Sequence, residues 1–178
     1  MKRSIHLAAA ILLSVCVGIF PIREGRAETE SMARDILSLD CADADGRPSN
    51  DFERSDRNLS IGKRFYRAVM RAYPGAKITC DLPMPEDPAW KPTSALLTFG
   101  INDGRSRASA IKVIAYVDGS PSTSQVVTLE SVGNLTIPIN TASSLSLEVS
   151  CLTDNDCNSW LYFTQAEVQY IWLPEPTQ

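Results

Sequence analysis

The sequence contains one histidine, His6, in a chain of 178 residues, and aromatic residues make up only 7% of it. Because the rest of the chain has no histidine, it lacks the base of Ser–His–Asp and Cys–His catalysis and the commonest metal ligand. The formal net charge is −4, so the chain lacks the excess of positive charge with which duplex nucleic-acid binders contact phosphates. Hydrophobic residues reach 44% and charged residues 21%, which is typical of one globular domain.

The first 27 residues have the pattern of an export signal. A positively charged start precedes an apolar run over residues 6–20, and Gly25 and Ala27 supply small side chains at the −3 and −1 positions of a signal-peptidase site. We therefore expect cleavage after Ala27 and a secreted or periplasmic protein without a membrane anchor, since the run is too short for a secure span. Lipoprotein processing at Cys16 is the alternative interpretation.

Removal of residues 1–27 leaves a more acidic chain. It takes away four of the 17 basic residues, one of the 21 acidic residues and the histidine, so the net charge becomes −7. We predict no nucleic-acid partner, and the sequence identifies no protein partner. Five of the remaining basic residues lie between residues 63 and 77, and none follows Lys112. This basic segment is either a site for an acidic glycan or partner, or a solvated face balanced by acidic loops.

Four cysteines follow the expected signal: Cys41, Cys80, Cys151 and Cys157. An even number of cysteines in an exported chain predicts two disulfides. Three pairings are open. Since Cys151 and Cys157 bracket a short polar loop, we expect them to pair with each other and Cys41 to pair with Cys80. Free thiols or metal ligands are the alternative, but thiolate sites usually need four ligands, and we predict no metal site and no cofactor.

Hydrophobic residues alternate with polar ones from about residue 63 onward, which is the pattern of strands with one buried face. The alternating segments are 95–101, 111–117, 135–139, 145–149 and 166–172, with shorter strands over 76–82 and 124–129. Pairs such as Asp118-Gly119 predict turns between them, and Pro138 favours an edge strand or a strand end. We predict an all-β fold, a β-sandwich of seven or eight short strands.

Two segments of this predicted sandwich are ambiguous. Residues 64–73 fit a helix or a strand, and we favour a strand that enters a turn at Pro74-Gly75 because every neighbouring segment is a strand. Residues 83–92 contain four prolines, so we predict a loop there. Trp90, at the end of that loop, is either an exposed aromatic or a lid over one end of the sandwich.

The N-terminal part of the mature chain has a different pattern. Residues 28–57 are polar and acidic, and the spacing of Met32, Ile36 and Leu39 is compatible with one short helix. We therefore predict a polar N-terminal segment over 28–57, the sandwich over 58–173 and a tail over 174–178.

The order and spacing of several motifs resemble one known family. Ile61-Gly62, Tyr66 and the Tyr73-Pro74 corner precede a strand that ends in Asp-Leu. There follow an aromatic-glycine strand with an acidic turn, a strand that runs into Asp-Gly, a Leu-x-Leu-x-Val strand and a tryptophan before the last strand: Phe99–Asp103, Val113–Gly119, Leu145–Val149 and Trp160. Over residues 58–172 the chain is similar to the NPCBM/NEW2 domains, which are described as carbohydrate-binding modules and are often attached to glycoside hydrolases.

The resemblance implies a galactose-binding-like jelly roll that binds a carbohydrate without catalysis. Sugar binding combines a flat aromatic face with side chains that hydrogen-bond hydroxyl groups. The candidates at strand ends and loops are Tyr73, Trp90, Asn102, Asp103, Asn158 and Trp160. Each also has a structural interpretation, such as a core plug for Trp160 and a turn former for Asp103.

Two further hypotheses remain beside sugar binding. The family usually has histidine at the position of Tyr73 and aspartate at that of Asn102, so a structural or protein-interaction module with a decayed sugar site is the alternative. A glycosidase would use two carboxylates, with Asp154 and Asp156, or Asp81 and Asp103, as the pair.

Overall fold

The computed structural model describes residues 30–43, 51–82, 89–104, 110–152 and 158–173. The expected signal at 1–27, the tail at 174–178, and Asp154, Asp156 and Cys157 lie outside the described residues. Within the described ranges, one 3-10 turn (Ile36–Ser38) accompanies thirteen strands: β1 Ser31–Asp35, β2 Cys41–Asp43, β3 Phe52–Arg54, β4 Asn58–Ile61, β5 Arg64–Arg67, β6 Met70–Ala72, β7 Lys77–Asp81, β8 Trp90–Ile101, β9 Ile111–Val117, β10 Ser120–Val127, β11 Val132–Pro138, β12 Ser144–Cys151 and β13 Leu161–Trp172.

Two antiparallel sheets form the body of the molecule. Sheet A has the strand order β11-β8-β13-β6-β3, with β1 also paired to β13, and sheet B has the order β10-β9-β12-β7-β2. β4 and β5 form a separate hairpin. The predicted all-β sandwich is confirmed, and Pro138 ends the edge strand β11, where its missing N–H breaks no inner ladder. In the described ranges no helix is long and apolar enough to cross a membrane.

The alternating residues fill the space between the two sheets. Leu97 and Phe99 of sheet A and Val113 and Leu147 of sheet B are all at most 1% exposed. Phe99 also packs against Phe163, with 5.5 Å between the ring centroids. Burial of such side chains contributes about 1.5–3 kcal/mol each, and a one-residue slip would turn them all to water. The period of two therefore sets the register as well as the fold class.

The predicted Cys41–Cys80 disulfide is present and joins two paired residues of β2 and β7. The second predicted pairing involves Cys157, outside the described residues, while Cys151 is itself disulfide-bonded. Two covalent links are thus consistent with the even cysteine count.

The short helix predicted from Met32, Ile36 and Leu39 is wrong. Residues 31–35 form β1, and only a single 3-10 turn follows, begun by Asp35, whose carboxylate accepts a hydrogen bond from the Leu37 N–H at 2.8 Å. The spacing failed because residues 31–35 pair along β13, and this long-range pairing overrides the local helical pattern. β1, β2 and β3 all pair with strands of the sandwich.

The structure also corrects the two ambiguous segments. The predicted strand over 64–73 is two strands, because the chain leaves the β4–β5 hairpin at Ala68 and joins sheet A, where the Val69 N–H donates to the Phe163 carbonyl. The predicted loop over 83–92 ends earlier than expected, since β8 begins at Trp90. The register shifts between Gln169, opposite Ser94, and Tyr170, opposite Pro92, so β8 has one extra residue beside the proline.

Candidate functional site

β8 and β13 run antiparallel along sheet A, and their register defines two ends of the molecule. Trp90 pairs with Trp172 at one end, and Ile101 pairs with Leu161 at the other. A twelve-residue strand is roughly 35 Å long. We call these the Trp90 end and the Trp160 end.

Five of the six candidate residues lie at the Trp160 end, and Trp90 does not. Tyr73 follows Ala72, the partner of Leu161, while Asn102 and Asp103 follow Ile101, and Asn158 and Trp160 precede Leu161. Trp90 is partly buried and packs against the main core. It occupies the position of a lid over the opposite end, so one ligand contact cannot include it and the others.

Tyr73, Asn158 and Trp160 come together in a cluster that we call the corner. The Tyr73 ring is edge-on to the Trp160 indole, with 5.4 Å between ring centroids and an interplanar angle of 75°. The Tyr73 hydroxyl donates a hydrogen bond to the Asn158 Oδ1 at 2.9 Å. Tyr73 is 38% exposed and Asn158 is exposed, whereas Trp160 is half-buried against the residues beneath the hairpin. The corner therefore presents an aromatic ring with a fixed orientation and a neighbouring amide.

Arg71 lies against Trp160 and completes the corner. Its guanidinium carbon is 4.3 Å from the centroid of the indole ring, which is cation–π geometry. Its Nε donates to the Glu53 Oε2 at 2.8 Å, and its second terminal nitrogen bonds the same oxygen. The ion pair holds Arg71 over one face of the indole and cancels its charge. Tyr73 is consequently the more accessible aromatic face of the corner.

Asp103 stabilises the turn of the β4–β5 hairpin beside the corner. Its carboxylate accepts hydrogen bonds from the Ser60 hydroxyl at 2.6 Å and from the Gly62 and Lys63 N–H groups, each at 2.8 Å. These bonds, led by the one from Ser60, lower the pKa of Asp103 below its ordinary 3.8. These contacts agree with the interpretation of Asp103 as a turn former. The neighbouring Asn102 is half-buried at the same end.

The positions of the acidic side chains bear on glycoside hydrolysis and on metal binding. Asp81 pairs with Ser144, next to the turn around Asp118 at the Trp90 end, so Asp81 and Asp103 lie at opposite ends and cannot flank one glycosidic bond. No three Asp, Glu, Cys or His side chains converge on a possible metal position in the part of the chain that the structure describes.

Sequence reasoning missed Glu53 and did not assign Arg71 to the site. Arg71 stands out in the sequence only as one of five cations between residues 63 and 77. Glu53 lies 18 residues earlier in a segment predicted to be outside the sandwich. Their proximity arises from the pairing of β3 with β6, where Glu53 is opposite Arg71, and no local pattern predicts that pairing.

No protein family model and no curated protein matches this chain in sequence. Solved structures do match it. One contains CBM51-2 in complex with GlcNAc, together with INT domains, from Clostridium perfringens ZmpB, with a TM-score of 0.59, 15% identity and 79% of this chain covered. This chain spans only 32% of the length of that one.

A second match covers nearly a whole solved chain. It is CBM51 from Clostridium perfringens GH95 in complex with methyl-galactose, with a TM-score of 0.59, 10% identity, and coverage of 77% of this chain and 99% of that chain. At such low identity the likeness is one of fold. The chain has the β-sandwich fold of carbohydrate-binding modules, and membership of the NPCBM/NEW2 family stays a prediction.

Proposed function

We propose that this chain is an exported, non-catalytic carbohydrate-binding module and that the corner is its sugar site. The observation that carries the proposal is the convergence of Tyr73 with Asn158 and Trp160, which lie in a segment about 85 residues later, at one end of the sandwich. The two CBM51 structures, solved with GlcNAc and with methyl-galactose, support a sugar as the class of ligand.

The chemistry of the corner suits a neutral sugar. Tyr73 offers a partly exposed ring for the C–H face of a pyranose. Asn158 uses its Oδ1 for the Tyr73 hydroxyl, and its amide nitrogen, which has no partner among the described residues, donates to sugar hydroxyl groups. Since Glu53 neutralises Arg71, the described residues of the corner offer no unpaired charge that selects an acidic sugar.

The test is glycan-array binding followed by calorimetry with methyl-galactose and GlcNAc. We expect Tyr73→Ala to lower affinity at least tenfold, because it removes the ring. Tyr73→Phe should cost only a few-fold, because it keeps the ring and loses the bond to Asn158. Tyr116→Ala, which removes a half-buried tyrosine from the outer face of sheet B, is the matched control and should bind like the parent.

The second candidate is a protein-interaction module with a decayed sugar site. The stacking of Arg71 on Trp160 favours it, since that contact takes away aromatic surface that a sugar would use. A folded parent chain that binds no glycan on the array, but retains a protein partner whose capture depends on Tyr73, would select this function instead.

A further inference from the structure

The β4–β5 hairpin presents an outer face that the corner does not include. In its register Asn58 is opposite Arg67 and Ser60 is opposite Phe65, so these four side chains share one face of the two strands. Phe65 is 77% exposed, the largest value among the exposed large hydrophobic residues of the described ranges. Ser60 is engaged by Asp103, which leaves Phe65, Arg67 and Asn58 directed away from the sandwich.

The hairpin is held in place by its buried inner face and by hydrogen bonds at its turn. Leu59 and Ile61 on its inner face are buried in a cluster with Ala68 and Tyr162, outside the main core. At its turn, Gly62 and Lys63 both have positive φ, as a two-residue type I′ turn requires, and both N–H groups donate to Asp103. The exposed Phe65 therefore sits on an ordered strand pair.

Arg67 is one of two cations in the basic segment without a carboxylate partner. Lys63 pairs with Glu130 at 3.6 Å, Lys77 with Glu148 at 3.4 Å, and Arg71 with Glu53. Neither Arg64 nor Arg67 has an ion-pair partner among the described residues. Arg67 also lines an open groove of about 550 Å³, whose other charged residues are Asp56 and the ion pair of Arg54 with Asp35.

We propose that this outer face is a second binding site, for an acidic polysaccharide that carries uronic acid residues. Phe65 packs on the C–H face of the sugar ring, and the Arg67 guanidinium pairs with the ring carboxylate. Residues i and i+2 of a strand are about 7 Å apart, which lets one sugar reach both side chains. Asn58 hydrogen-bonds the hydroxyl groups of the same sugar.

A polymer fits this face better than a lipid surface does. Binding to an anionic bilayer grows with the number of basic residues near it, and this outer face offers one arginine and one phenylalanine on a chain of net charge −4. A polyuronate instead repeats the ring and carboxylate that Phe65 and Arg67 recognise. The site is independent of the corner, because its residues lie on a different element.

The test compares polygalacturonate with its fully methyl-esterified form by affinity gel electrophoresis, because methyl esterification removes the carboxylate charge and leaves the sugar rings and their linkages unchanged. We expect esterification, Phe65→Ala and Arg67→Gln each to weaken binding at least tenfold. Arg67→Lys should keep part of the affinity, and binding should weaken as salt rises. Val126→Ala, an exposed side chain on β10, and Arg34→Gln, an exposed arginine on β1, are the matched controls and should stay within twofold of the parent.

Several outcomes would overturn the proposal. These are equal binding to both polymers or to neither, parent-like affinity of folded Phe65→Ala and Arg67→Gln, and Phe65-dependent binding to phosphatidylglycerol vesicles in place of the polymer. Tyr73→Ala separates the two sites, since it should abolish binding of neutral sugars while polygalacturonate binding persists. Loss of both together would show one site and would also overturn the proposal, whereas loss of neutral-sugar binding alone supports both.

Discussion

The two ends of the sandwich are built from similar residues and do different things. Each has a tryptophan beside the last strand, a tyrosine on β13 and an aspartate that ties a turn. At the Trp90 end these groups close the core: Trp90 packs on it, Tyr170 is fully buried, and Asp118 holds Ser143 and Ser144. At the Trp160 end the tryptophan joins a polar network that reaches the surface.

The difference lies in what covers each end. At the Trp160 end the β4–β5 hairpin buries Tyr162 on the outer side of sheet A, so the neighbouring Trp160 rests on a second cluster and not in the main core. This leaves Tyr73 and Asn158 accessible beside it. A residue type in a loop therefore does not define a site, and its position relative to the hairpin does.

The largest effect that we expect is on the Trp90 side, from removal of the Cys41–Cys80 disulfide, which lies close to that end. Cys41→Ser with Cys80→Ser releases a loop of 39 residues, which should lower the free energy of unfolding by about 4 kcal/mol in the chain-entropy model. Urea unfolding measures the loss. Sugar affinity at the corner should survive at low temperature, and a chain that stays folded but loses sugar binding would contradict the separation of the ends.

Exchange of the two tryptophans for alanine sharpens the comparison. Trp90→Ala and Trp160→Ala should each lower the free energy of unfolding by about 3 kcal/mol, since both remove partly buried indole contacts. Only Trp160→Ala should abolish sugar binding, because it removes the support of Tyr73. Calorimetric titration beside thermal unfolding tests both, and equal loss of binding in the two variants would break the comparison.

Replacement of the two tyrosines of β13 by phenylalanine should change the free energy of unfolding in opposite directions. Among the described residues the buried Tyr170 hydroxyl has no hydrogen-bond partner, and burial raises its pKa above 10.0 although Arg34 partly opposes the shift. Tyr170→Phe should therefore be neutral or stabilising by up to about 1 kcal/mol. Tyr162 accepts a bond from Arg57, so Tyr162→Phe should cost about 0.5–1 kcal/mol. Paired urea titrations decide, and the same sign for both would refute the assignment.

The smallest effect is the acid response of the two aspartates. The pKa of Asp118 is lowered chiefly by the hydrogen bonds from Ser143, as the pKa of Asp103 is lowered by the bond from Ser60. A lowered folded-state pKa means that the contribution to stability is complete above the unfolded-state value near 3.8 and disappears as the pH falls through the folded-state value.

Asparagine variants locate that response. Asp103→Asn should raise hydrogen exchange at the amides of Gly62 and Lys63, and Asp118→Asn at those of Ser143 and Ser144, each with a flatter dependence of stability on pH below 4. Hydrogen exchange at pH 7 and urea unfolding between pH 7 and 2 provide the two readouts. Exchange that rises at both ends in either variant would contradict two independent turns.

Local pattern predicted the strands correctly over long alternating segments such as 95–101 and 145–149, and it missed short strands such as β3 and β4. It failed where a strand end depends on a distant partner. The pairing with Trp172 extends β8 to Trp90, and the transfer of the chain from β5 to β6 depends on Phe163. Three of the candidate residues come together at the corner. Trp90 lies at the far end of the sandwich, and Asp103 is bonded to the hairpin turn.

The sequence by itself determined the all-β class and which residues face the core, because alternation is a local property. The even cysteine count predicted two disulfides but left three pairings open, and the structure contains the expected link between Cys41 and Cys80. Only the tertiary structure decided which aromatics share a surface, that Glu53 neutralises Arg71, and that Arg67 has no ion-pair partner among the described residues beside an exposed Phe65. Those relations arise from antiparallel pairing between segments up to about a hundred residues apart in the chain. The sequence around a side chain does not indicate which residue the sheet will place opposite it.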